Sequence, residues 1–185
     1  KSIIMKKLFT SITFLSIIGL GNLLAQTIVT TDPQLKTVVL EEYTGIHCGY
    51  CPDGHVIAGD IQASDPDRVI LINIHAGTYA VPSGSEPDIR TAYGEDLATQ
   101  AGVTGYPAGT VNRHIFTGNT ATTLNRGAWT NAAADVLEEA TSVNVGLEST
   151  WDSINGELTI NVEVYYTNSS DESTNNLHVA ILENG

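Results

Sequence analysis

Two cysteines occur in the chain, and they stand three apart in the run His47-Cys48-Gly49-Tyr50-Cys51-Pro52. The C-x-x-C spacing serves three chemistries. In the first, one sulfur attacks a disulfide as a thiolate and the other resolves the mixed disulfide that forms. In the second the pair is half of a zinc site, with His47, His55 or His75 as nitrogen ligands. In the third the two sulfurs close a static bridge. Neither a second C-x-x-C nor a histidine pair at zinc-ligand spacing follows, which leaves a metal site short of ligands. Closing so short a loop adds little stability, yet the static bridge is the stronger rival. Disulfide exchange is the leading expectation.

The elements that would hold these sulfurs are legible on either side of them. Val38 to Tyr43 is an apolar run that predicts a strand covered on both faces, broken at Gly45. Cys48 is then expected at the start of a helix, beside unsatisfied N–H groups and the positive helix end. Such settings lower a cysteine pKa from about 8.5 into the range of roughly 3.5 to 7.5 and favour thiolate. Cys51, one turn further in, is placed to resolve.

After Met5 come Lys6 and Lys7, an apolar segment from Leu8 to Leu24, then Ala25 and Gln26. This pattern predicts a secretory signal peptide over residues 1–25, cut after Ala25. Export would place the remainder in an oxidising compartment, where a lone C-x-x-C handles disulfides more often than it idles. The leader carries Lys1, Lys6 and Lys7, so five basic residues face all 21 acidic ones and the net charge falls to about −16. Nucleic acid and anionic membrane surfaces are therefore poor partners.

Further elements follow in order. Gln26 to Lys36 is an extended lead-in, and Gly49 to Ser64 carries apolar residues near helical spacing at Val56, Ile57, Ile61 and Ala63. Val69 to His75 is a second buried strand, which makes a strand–helix–strand unit with a parallel pair. Ala76 to Asp88 is a long loop of the kind that forms functional flaps. Ile89 to Ala101 predicts a helix closed by Gly102, and Pro107 belongs at a strand entrance. A last helix is expected from a Thr122 or Thr123 cap to Ala140. From Ser142 onward only strand and turn signals remain, at Val143–Thr150, Glu157–Asn168 and Leu177–Glu183. Three strands cannot close a sandwich, so the expected division is residues 26–141 and the start of a β-rich unit over 142–185.

This order of parts resembles the thioredoxin superfamily: a strand into Cys48-Gly49-Tyr50-Cys51, a second strand, a helix, then Gly105-Tyr106-Pro107 before another strand. The resemblance implies an α/β fold with a mixed central sheet flanked by helices, here followed by an incomplete, sandwich-like β segment. It implies that Tyr106–Pro107 is a cis bond lying against the cysteine pair, and that the Tyr106 backbone pairs with an extended substrate segment. Glu42, six residues before Cys48, would assist proton transfer to or from Cys51. Strand alternation allows only one of Glu41 and Glu42 to face inward, so a solvated Glu42 stays open. His47 stands where thioredoxin carries tryptophan, and a protonated imidazole there would stabilise the Cys48 thiolate. Gly49-Tyr50 matches neither the dipeptide of thioredoxin nor that of protein disulfide isomerase, so the direction of exchange does not carry over. No cofactor beyond the Cys48–Cys51 disulfide is implied.

More narrowly, Leu40 to Pro52 together with Tyr106-Pro107-Ala108-Gly109-Thr110-Val111-Asn112-Arg113 resembles the outer-membrane-protein-28-related family of exported bacterial proteins. That resemblance implies a periplasmic, outer-membrane or cell-surface location, protein thiols or disulfides as substrates, an envelope redox partner and peripheral association with the outer membrane. The rival function is a surface binding or assembly module in which the α/β unit is a scaffold and the disulfide is structural.

Overall fold

The strand β1, Val38–Thr44, lies inside the sheet and is flanked by chain on both sides, as its unbroken apolar start requires. In the computed structural model, which describes residues 28–170 and 172–183, the elements that follow are α1 (Cys51–Ser64), β2 (Val69–His75), α2 (Gly94–Ala101) and β3 (Ala108–Val111). After them come β4 (Leu124–Asn125), α3 (Trp129–Leu137), β5 (Val143–Asp152) and β6 (Glu157–Tyr166). The leader expected over residues 1–25 lies outside the described residues. Among the described residues, no helix is long and apolar enough to cross a membrane.

The first sheet runs β2-β1-β3-β4. Its β1–β2 pair is parallel, because α1 supplies the crossover between them, and its β1–β3 and β3–β4 pairs are antiparallel. Apolar side chains cover both faces. On one face Val38, Leu40 and Val111 pack with Ala58 and Ile61 of α1 and with Trp129, Ala133 and Val136 of α3. On the other, Tyr43 and Ile74 pack with Ala98 and Ala101 of α2. The result is the expected α/β architecture, a mixed four-stranded sheet flanked by helices, with a separate two-stranded sheet after it.

Several boundaries differ from expectation, each for a local reason. The first helix begins at Cys51 rather than at Cys48. Its buried stripe is Cys51, Gly54, Ala58 and Ile61, while Val56 and Ala63 face outward. The second helix starts five residues late, because Asp88 binds the guanidinium of Arg90 and the chain turns again from Thr91 to Gly94. It ends as expected at Gly102, whose left-handed φ of 75° closes the last turn. The last helix is shorter than expected at both ends. Leu124 and Asn125 are drawn into β4 against β3, and the Asn125 side chain, not a threonine, caps the tight turn that leads into α3.

The β5–β6 hairpin is paired in register from Val143–Tyr166 to Asp152–Glu157. Pairing sets Val145 opposite Val164, Leu147 opposite Val162 and Trp151 opposite Leu158, so one face is a row of apolar residues. The opposite face is polar and holds the lead-in: Asn144 donates to the carbonyls of Thr30 and Asp32, and Glu163 accepts from the amide of Ile28. Leu177 to Glu183 forms no strand, contrary to expectation. Its alternation is a strand pattern, but strand pattern without a paired neighbour does not make a sheet.

Candidate functional site

Cys48 and Cys51 are joined by a disulfide, with Cα atoms 5.4 Å apart. The turn that brings them together is built by the backbone: the Cys48 amide donates to the Gly45 carbonyl, and the Cys51 amide to the Cys48 carbonyl. Cys51 is the first residue of α1 and Pro52 the next, where a missing N–H costs nothing. Cys48 thus precedes the helix but is tied through sulfur to its positive end. Both cysteines are well covered, with 7% of Cys48 and 1% of Cys51 exposed.

Glycine at position 45 is required by packing. A side chain there would run into the backbone of Tyr79, because the loop after β2 lies directly on this turn. The same loop holds His47 twice: its amide donates to the Tyr79 carbonyl, and its Nε2 lies 3.0 Å from Glu86 Oε2. Glu86 also accepts from the backbone and hydroxyl of Ser83, bonds that hold its carboxyl below the usual range. The long loop therefore lies on the turn that carries Cys48, and His47 is turned toward it. An imidazole committed to Glu86 is a weaker candidate for tuning Cys48.

Pro107 follows a cis peptide bond, as the resemblance implies, and is buried at the entrance to β3. Its neighbour across the site is Gly54, one turn beyond Cys51 on the same buried face of α1. A Cβ at Gly54 would stand 3.1 Å from the Pro107 ring and 2.6 Å from Glu42 Oε1. Helix, proline and carboxylate therefore meet where only glycine fits. Tyr106 lies under Gly77 and edge-on to the Tyr79 ring, centroids 6.0 Å apart. Burial raises its hydroxyl above the ordinary tyrosine range. Beside the proline, Thr104 to Ala108 and Thr123 to Asn125 line an open groove of about 310 Å³. Gly49 faces open space, and Tyr50 is 71% exposed with the Arg126 guanidinium 5.8 Å from its ring centroid.

Strand alternation does point Glu41 and Glu42 to opposite faces, yet both are buried, because β1 is covered on each side. Glu41 is ion-paired with Arg113 and accepts a hydrogen bond from the Thr110 hydroxyl, 2.8 Å away. Glu42, 1% exposed, faces α1, where Oε2 lies 2.9 Å from Nδ1 of His55 and Oε1 has no hydrogen-bond partner. Burial raises the Glu42 carboxyl above its ordinary value, and His55 only partly opposes this. From the sequence His55 stands out only as a possible nitrogen ligand for a metal. Its position four residues after Cys51 was the available signal. Among the described residues no three His, Cys, Asp or Glu side chains are grouped to hold a metal ion.

The raised Glu42 carboxyl has a consequence for stability. A carboxyl raised on folding contributes stability that is fully present below its unfolded pKa and is lost as pH rises through the folded one. We expect Glu42→Gln to be more stable than the wild type at pH 8, because it removes the ionised form that burial penalises. The difference should vanish toward pH 4. Urea unfolding midpoints across that range check this, and a gap that widens in acid would contradict it.

Fold and site together define an α/β unit whose disulfide-bonded C-x-x-C pair joins the turn after β1 to the first residue of α1. No protein-family profile and no curated protein matches the chain. Among solved structures it is similar to HBP35 of Porphyromonas gingivalis, with a TM-score of 0.45 and 22% identity. The match covers 63% of this chain and 38% of that one, so the chain spans well under half of that protein's length.

Proposed function

We propose that the chain is an exported thiol–disulfide oxidoreductase that acts on protein thiols or disulfides in the bacterial cell envelope. The observation that carries this reading is the Cys48–Cys51 bridge, which joins the turn after β1 to the start of α1, with Pro107 and Glu42 packed against that helix at Gly54. Cys48 attacks, Cys51 resolves, and the sulfur pair needs no further cofactor. Tyr106 and Pro107, together with Gly49 and Tyr50, present an extended client backbone along the groove beside the proline. Glu42 handles the Cys51 proton and His47 is a lesser influence. The resemblance of Leu40–Pro52 and Tyr106–Arg113 to the outer-membrane-protein-28-related family supports a leader over residues 1–25, a redox unit over 26–141 and a β-rich unit from 142. It also supports periplasmic, outer-membrane or cell-surface residence and an envelope redox partner.

Two observations favour the rival binding module. Cys48 is largely covered, as a static bridge would be, and the apolar row on the β5–β6 hairpin is exposed at Val145, Leu147 and Trp151. The reduction potential of the pair separates the readings. We expect equilibration with glutathione buffers to give a value between about −270 and −120 mV, the range of exchanging pairs. A bridge below about −300 mV, or one that never exchanges, would be structural and would leave the binding module as the better reading.

A further inference from the structure

We propose that His55 carries the proton between buried Glu42 and solvent, so that the two side chains act as one unit on Cys51. The inference rests on the exchange function proposed above and adds to it a residue that acts through Glu42. Glu42 is 1% exposed and has no route of its own to water. The His55 side chain is 44% exposed, yet its Nδ1 lies 2.9 Å from Glu42 Oε2. An imidazole bridges such a boundary well, because its two nitrogens lie on opposite edges of the ring and either can hold the proton.

The carboxylate offers one oxygen to each side. Oε2 is taken by His55, whereas Oε1 is buried without a partner beside Gly54, on the face of α1 that Cys51 shares. In the resolving step the Cys51 thiol gives its proton to Glu42 Oε1. The Cys51 sulfur then attacks the Cys48 sulfur of the mixed disulfide. A Cys48–Cys51 bond forms, the Cys48–client bond breaks, and the client leaves as a thiolate with the two electrons. Once the carboxyl turns to bring that proton to the His55 side, it passes to Nδ1 of His55 as the far nitrogen releases one to water. In the reverse direction each transfer runs backward.

Charged groups acting on the pair come from three elements: Glu42 from β1, His55 from α1 and His75 from β2. His75 is held below the ordinary imidazole range by burial and by His55, which disfavours a second positive charge there, and its Nδ1 has no partner. Glu41 and Tyr43 lie on the other face of the sheet. Burial keeps the Glu42 carboxyl raised toward the pH at which it would be asked to exchange protons, the condition for efficient transfer.

The test uses the protein without its leader and compares wild type, His55→Gln and His55→Ala in exchange with a disulfide-bonded client peptide between pH 5 and 9. We expect His55→Ala to exchange about tenfold more slowly, with free imidazole restoring most of the loss, and a changed pH profile in both variants. A second readout is independent of exchange. In the oxidised protein the Glu42 carboxyl resonance should titrate at higher pH in His55→Gln than in wild type, because the interaction that opposes burial is gone. Unchanged rates and profiles, a loss that imidazole does not restore, or an unmoved Glu42 titration would each overturn the relay. A wild type that exchanges no client at all would overturn the oxidoreductase function and the relay with it, and is told apart from the relay alone failing by the active wild type in the latter case.

Discussion

Cys51→Ser is expected to accumulate mixed disulfides with client proteins, whereas Cys48→Ser is expected to accumulate none. The asymmetry follows from position. Cys48 lies ahead of α1 in a turn closed by Gly45, while Cys51 begins the helix and is almost wholly buried. The outer sulfur is the one a client can reach, and the inner one ends the encounter. Without the inner sulfur the mixed disulfide has no intramolecular exit, so its lifetime should lengthen by orders of magnitude while the attacking step continues. Non-reducing gels of envelope extracts, with adducts that collapse on reduction, would read this directly. Equal trapping by both variants would reverse the assigned order, and trapping by neither would count against exchange.

Trp129→Ala is the substitution expected to cost most stability, about 3–5 kcal/mol by analogy with other buried aromatics. The indole is fully buried in the core shared by α1, α3 and the sheet, and its Nε1 donates to the Leu124 carbonyl. It packs against β3 at Gly109, where a Cβ would come within 2.9 Å of the ring. Removing it opens a cavity beneath the strand that follows Pro107 and frees the short β3–β4 pairing. A domain of ordinary stability has about 5–15 kcal/mol in total, so the variant should unfold at a much lower urea concentration. A loss below about 1 kcal/mol would show that α3 docks without its central side chain.

What the sequence disclosed and what it withheld divide by the range of the interaction. Val38–Tyr43 and Val69–His75 were legible as strands because continuous apolar runs between turn residues have few other uses, but Val69–His75 is the edge of the sheet, with Ile70 exposed, and not the buried strand its apolar run suggests. Gly102 was legible because a helix end needs a left-handed residue. The C-x-x-C pair and Pro107 were legible as motifs. The burial of Glu41 was not, since its partner Arg113 lies 72 residues away and reaches it only once β3 is paired with β1. Nor was the Glu42–His55 contact, which depends on how α1 turns upon the sheet. The start of α3 was missed because Leu124 suits a helical stripe as well as a strand, and its pairing with Gly109 decided between them.

The bond from the His47 amide to the Tyr79 carbonyl joins the residue just before Cys48 to the loop after β2. That amide trades its hydrogen for deuterium when this bond opens. One backbone position therefore reports how firmly the loop is held on the turn. Comparing its exchange rate in the oxidised and reduced protein would reveal whether the state of the sulfurs is felt by the loop above them.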